Sequence, residues 1–207
     1  LNETKTSRKL DTKDADGMIT LTINDGSASN KPTFDVIDKG TGLSGAEFPD
    51  TILSIHKGNK IKRDKSHLIG SFGQGGSTSL PFTYATLIIS KKDNEMSFTV
   101  IKSVDLIDYK NSPYMYVRIN GKVPEVDFSN FKPTGKKSLD DFVQGESGTL
   151  VRMIETDISV EFRRNAITKP GMLFDYLNTE LFHVGLPIKL VENRKRFYED
   201  GHTHNRN

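Results

Sequence analysis

Apolar and polar positions alternate along the chain in a series of short, strand-like runs. Met18–Asn24 (MITLTIN) has a period of two and is rich in Ile and Thr, and Thr33–Asp38 (TFDVID) is an apolar run ending on a charge. Tyr84–Ser90 (YATLIIS), Met96–Lys102 (MSFTVIK) and Tyr114–Ile119 (YMYVRI) read as successive strands. The polar turn Lys91–Asn94 joins the first two, and Asn120-Gly121 is a hairpin signal after the third. Thr149–Ile154 and Pro187–Val191 complete the strand set. Helical spacing is rarer. Ser44 is placed to cap a helix with Phe48, Ile52 and Leu53 on one face, running to about Ile55. A short helix is expected near Ser77, and Met172–Val184 carries Leu173, Tyr176, Leu177, Leu181 and Phe182 at helical intervals. Val123–Glu146 is polar and irregular and reads as an insertion or a mobile lid.

Strands dominate without alternating with helices, and neither an internal repeat nor a linker divides the chain. The expectation is one α+β domain over residues 18–195, with a mostly antiparallel mixed sheet and helices on one face. Residues 1–17 are polar and expected to be disordered or the remnant of an upstream region. The chain opens on Leu1, and its natural N-terminus is expected to lie upstream. Residues 196–207 are expected to form a flexible tail, with fraying over Glu192–Asn207.

The 207 residues suffice for one sizeable core. A formal net charge of +2 neither demands nor excludes a nucleic-acid partner. The absence of cysteine removes disulfides, zinc-thiolate sites and thiol nucleophiles from consideration, and fits a cytoplasmic location, or a nuclear one in a eukaryote. No apolar run reaches the roughly 18 residues of a membrane span, so no membrane partner is expected.

Two glycine clusters carry the chemistry. Asp38-Lys39-Gly40-Thr41-Gly42 puts a carboxylate at the end of a buried strand, where it is costly without a hydrogen-bonding role. The glycines allow close approach of a ligand to the backbone, and the carboxylate suits the exocyclic amine of adenine. A turn capped by Asp38 is the plainer alternative. Gly40–Gly45 also matches G-x-G-x-x-G, which raises an NAD-dependent oxidoreductase as a further alternative. The charged pair Asp38-Lys39 and the lack of βα alternation count against it. The second cluster, Gly70-Ser71-Phe72-Gly73-Gln74-Gly75-Gly76, can aim several backbone N–H groups at a phosphate. It is not a P-loop, because no Gly-Lys-Ser/Thr follows.

In this order the two clusters resemble those of the GHKL ATPases: gyrase, the large heat-shock chaperone, histidine kinases and MutL. The family's D-x-G-x-G box matches Asp38, Gly40 and Gly42, and its G-x-x-G-x-G box matches Gly70, Gly73 and Gly75. His56-Lys57-Gly58-Asn59-Lys60 resembles a small loop between them. Gly148-Thr149 and the closing FDYLNTELFHVGLPIKLVENR are similar to the chaperone branch. The resemblance implies a Bergerat-type two-layer sandwich that binds ATP with Mg2+. It implies that Asp38 accepts the adenine amine, helped by Thr149 through a shared water, and that Gly42 lets the base approach. Gly70, Gly73, Gly75 and Gly76 would supply the lid loop and phosphate-facing amides, with Lys60 as an extra phosphate contact. It further implies lid closure and a homodimer on ATP binding, within a larger machine acting on nucleic acid or a client protein. The family's Glu/Asn helix is not found in residues 1–17, which hold only Asn2 and Glu3 of those types, and it is expected to lie upstream of Leu1 or to be absent. The full-length protein is therefore expected to be an ATPase, while this chain binds without a nameable catalytic base. A non-catalytic nucleotide-sensing or partner-binding module is the alternative.

Other residues carry less. His202 and His204 have H-x-H spacing but stand on a polar tail and read as solvated, and His183 reads as a helix-end residue. Lys57–Lys65 could meet phosphates of ATP or nucleic acid, against a solvated loop. Ser77 and Ser79 lack His/Asp partners by spacing, and Asp140-Asp141 reads as a turn or helix start.

Overall fold

A computed structural model describes residues 19–26, 31–53, 77–105, 113–127, 137–180, 188–197 and 202–206. Nine strands in this set form one sheet: β1 Ile19–Asn24, β2 Thr33–Asp38, β3 Ala85–Lys92, β4 Glu95–Ser103, β5 Tyr114–Tyr116, β6 Glu125–Asp127, β7 Gly148–Ile154, β8 Ile188–Glu192 and β9 His202–Arg206. Their order is β5-β4-β3-β7-β2-β1-β8-β9, with β6 also pairing β4. Among these pairs only β1 and β8 run parallel. Three helices accompany them: α1 Lys137–Gln144, α2 Val160–Arg164 and α3 Leu173–Glu180. The class is α+β with a mixed, mostly antiparallel sheet, as expected.

Register decides what each face carries. Ile23 lies opposite Phe34, and Phe34 opposite Met153. On that face, here the front, these side chains pack with Ile167, Ile158 and Leu173 from the region of α2 and α3. Further along the same face, Ile88 and Val151 pair and join Phe48, Leu43, Ile52, Leu53 and Val123. The rear face carries Ile37, Leu150 and Ile89, which are cross-strand neighbours and pack against Phe142 and Val143 of α1. Burying each such side chain contributes about 2 kcal/mol. The helices thus do not all sit on one side, because the polar-looking segment Val123–Glu146 contributes α1 to the rear face and the short strand β6 to the sheet.

Two expected helices take other forms. From Gly45 to Leu53 the chain makes turns around one 3-10 segment, Phe48–Asp50. The Glu47 carboxylate does reach back to the Ser44 N–H at 2.9 Å, as in a capping box. Pro49 then lacks the N–H that an α-helix needs there, and the regular helix does not propagate. Near Ser77 the chain likewise forms turns and a 3-10 segment, Leu80–Phe82, containing Pro81. The Asn120-Gly121 turn is as expected, with both residues at positive φ and Ile119 bridged to Lys122.

The end of the chain also differs from expectation. His202–Arg206 pairs along β8 instead of fraying. Glu192 and Arg194 are buried as a two-bond ion pair, 2.7 Å at each contact. Arg194 further donates to the carbonyls of Phe162, Arg163 and Asn165, which closes the C-terminal end of α2. His183 lies outside the described residues.

On the rear face Asp35, 2% exposed, accepts Arg152 Nε at 2.7 Å and Nη2 at 2.8 Å, and Asn24 Nδ2 at 3.0 Å. The hydrogen bond to Asp35, outweighing partial burial, raises the guanidinium's affinity for its proton further. Asp35→Ala strands a half-buried arginine and is expected to cost about 3 kcal/mol. Urea unfolding checks this, and a midpoint equal to that of the wild type contradicts it.

Candidate functional site

The site grows from the end of β2. Asp38 closes that strand opposite Thr149 of β7, which places the two side chains side by side on the front face. The Asp38 Oδ1 accepts the Gly40 N–H at 2.8 Å, so the carboxylate shapes the turn it opens. Both the turn-capping and the ligand-facing readings of Asp38 therefore share one geometry.

Gly42 and Gly148 are required by contact. Gly42 has φ +68°, and a Cβ there would fall 1.8 Å from the Lys91 carbonyl oxygen. Gly148 has φ +155°, and a Cβ there would fall 2.2 Å from the Asp38 carbonyl oxygen. The loop after β2 is thereby pressed onto β3, and the start of β7 onto the end of β2. No other residue type permits either approach.

Hydroxyls fasten these contacts. Ser147 Oγ donates to the Gly40 carbonyl at 2.7 Å. Ser90 Oγ, fully buried on β3, accepts the Leu43 N–H at 2.8 Å and lies 2.9 Å from Thr149 Oγ1. On the rear face Lys91 Nζ donates to the Val143 carbonyl at 2.6 Å and to that of Gly145, covering carbonyls at the end of α1. Burial pushes the Lys91 ammonium pKa down.

The turn that follows is held in the same way. Glu47 accepts Ser44 Oγ at 3.0 Å and Lys92 Nζ at 2.7 Å. Burial pushes its carboxyl up, but the bonds from Lys92 and Ser44 outweigh this and leave it below the ordinary glutamate value. Glu125 Oε1 accepts the Gly45 N–H at 2.8 Å. Beside the loop opens a cavity of about 550 Å³, between Thr41, the Lys92–Asn94 turn and Gly145–Ser147. Neither Asp38 nor Thr149 lines it.

Of the residues expected at the site, Asp38, Gly40, Gly42 and Thr149 come together. Lys60, Gly70, Gly73, Gly75 and Gly76 lie outside the described residues, as does the Lys57–Lys65 run. Ser77 and Ser79 stand in the turn before Leu80, and Asp140-Asp141 fall inside α1. Ser90 and Ser147 were not anticipated. A serine closing the apolar run YATLIIS, and another just before Gly148-Thr149, were the available signals.

The G-x-G-x-x-G alternative fails on topology. A dinucleotide fingerprint needs a strand running parallel to its neighbours and entering a helix. Here β2 is antiparallel to both β1 and β7 and leads into turns.

Residues 12–131, more than half of the chain, match the family described as Histidine kinase-, DNA gyrase B-, and HSP90-like ATPase. The chain belongs to this family and is an ATP-binding domain of the GHKL type. No curated protein matches the chain. Among the described residues no helix is long and apolar enough to cross a membrane.

The packing of Gly42 on β3 can be tested against a matched control. Gly121 has φ +76° but nothing within 4 Å of a built Cβ. Gly121→Ala is expected to show only the ~1 kcal/mol of left-handed strain, whereas Gly42→Ala adds backbone overlap and costs well over ~3 kcal/mol. Thermal unfolding of both variants checks this, and equal losses contradict it.

Proposed function

We propose that this domain binds ATP with its adenine amine on Asp38 and that the larger protein uses the binding energy to change conformation. One observation carries the reading. Asp38 and Thr149 are register partners on one sheet face, beside a glycine loop that has no room for side chains at Gly42. A carboxylate next to a hydroxyl, with bare backbone alongside, can accept an exocyclic amine and admit a flat base.

In the same reading Gly70, Gly73, Gly75 and Gly76 offer backbone amides to the phosphates, with Lys60 as a further contact. ATP binding closes a lid and brings two copies together, after the manner of the chaperone-like branch that Gly148-Thr149 and Leu186-Pro187-Ile188 resemble. The domain then drives an effector acting on nucleic acid or a client protein. Mg2+ accompanies ATP in this family's chemistry and screens the charge of its phosphates. Among the described residues no group of three or more His, Cys, Asp or Glu side chains could hold a metal ion. ATP binding is the activity this reading rests on.

Calorimetric titration with Mg-ATP tests the reading. Heat of binding is expected for the wild type, and Asp38→Asn should weaken affinity at least about tenfold, since a hydrogen bond to a charged group contributes ~1.5–3 kcal/mol. NAD should give no heat. Equal affinity in the variant, or binding of NAD but not ATP, contradicts the proposal.

A further inference from the structure

The rear face of the sheet is covered only in part. α1 seats Phe142 and Val143 on Ile37, Leu150 and Ile89. Register gives the next rows of the same face: Leu87 lies opposite Val100, and Lys102 opposite Met115. The Val117 N–H donates to the Val100 carbonyl at 3.0 Å and the Val104 N–H to that of Pro113 at 2.9 Å, so Val117 and Val104 stand on this face too. Met115 is 62% exposed, and Val117, Val104 and Tyr84 are about half exposed. Among these apolar side chains stands the half-buried Lys102. Its Nζ donates to the Tyr84 hydroxyl at 2.7 Å and lies over that ring, 3.9 Å from the centroid. Just beyond Val117, the Asn120-Gly121 turn carries exposed Arg118, Ile119 and Lys122.

Covering this surface takes Lys102 out of water, and a desolvated ammonium needs a carboxylate. Among the described residues no carboxylate pairs with Lys102, Arg118 or Lys122. A second copy of the chain would set the same cations against each other across a two-fold axis, which disfavours self-association. A nucleic-acid backbone would meet the cations but leave Met115, Val117 and Val104 bare. A membrane surface suits cations at the rim of an apolar tip, whereas Lys102 stands within the apolar field. α1 shows what this face accepts: a short helix with Phe142 and Val143 on the sheet and Asp140-Asp141 next to them in sequence. We propose that the uncovered rear face of β3, β4 and β5 docks an acidic amphipathic segment of a partner protein. Its apolar side chains lie on Met115, Val117 and Val104, and its carboxylates meet Lys102, Arg118 and Lys122. Asp38 and Thr149 face the other side of the sheet, so this docking is independent of where a nucleotide sits.

Peptides selected from a random display library against the full chain test this, with their affinities read by fluorescence anisotropy. The expected binders combine large apolar residues with Asp or Glu. Lys102→Glu should weaken them at least about tenfold, since an attractive pair becomes a repulsive one. Replacing the peptide's carboxylates by lysine should restore binding to that variant. Met115→Ser combined with Val117→Ser should also cost at least about tenfold, through lost apolar contact. No enriched peptide, binders without acidic residues, or full affinity for Lys102→Glu overturns the proposal. So does oligothymidine, or a phosphatidylserine vesicle, that binds the wild type in place of peptide and is lost in Lys102→Glu. A dimer in sedimentation that Lys102→Glu dissociates overturns it as well. Should Lys102→Glu unfold at lower urea than the wild type, Arg118→Glu with Lys122→Glu on the exposed turn must weaken the peptides, and unchanged affinity there overturns the proposal.

Discussion

The candidate site depends on backbone packed against backbone without side chains between. Gly42 lies on the Lys91 carbonyl of β3, and Gly148 lies on the Asp38 carbonyl of β2. These two contacts set how far the loop after β2 stands from the sheet, and they fix the Asp38–Thr149 pair laterally. The hydroxyls of Ser90 and Ser147 then satisfy polar groups that such close packing would otherwise leave unpartnered. A loop held so firmly would lose little freedom on binding a ligand, which would lower the ordering cost of recognition.

Sheet order brings these parts together. β7 inserts between β2 and β3 although it is far from both in sequence. It carries Thr149 to Asp38 on the front face and Leu150 to Ile37 on the rear. The front face holds two apolar clusters, around Phe34 and around Phe48, while α1 covers the rear through Phe142. Lys91 links α1 to β3 at the residue whose carbonyl receives Gly42. Rear-face cover and front-face loop therefore share one strand position.

Much of this was legible in the residues. Period-two runs and short apolar runs such as TFDVID and YATLIIS marked the strands, the latter because both sheet faces are covered there. Asp38 stood out as a charge at the end of an apolar strand, and Gly40 and Gly42 as a turn that could approach a ligand. The helix over Ser44–Ile55 was misread because Ser44 and Glu47 make a capping-box-like contact, while Pro49 stops the helix beyond it. α1 was anticipated only as a turn or helix start at Asp140-Asp141, because its apolar contribution rests on Phe142 and Val143 within a polar stretch. Ser90 and Ser147 could not be assigned from spacing, since their partners Leu43, Thr149 and Gly40 reach them only through non-local pairing. Nor does composition announce the buried Glu192–Arg194 pair, two charges that depend on each other and on the carbonyls at the end of α2.

The central claim is that a nucleotide base settles between the Asp38–Thr149 pair and the Gly40–Leu43 loop. Amide chemical shifts of isotopically labelled protein, recorded during addition of Mg-ADP, test this most directly. The account predicts that the largest shifts fall on Gly40, Gly42, Leu43 and Thr149 while the Asn120-Gly121 turn stays unmoved. Shifts confined to the neighbouring cavity, at Lys92, Asn94 and Glu146, or no shifts at all, would contradict it.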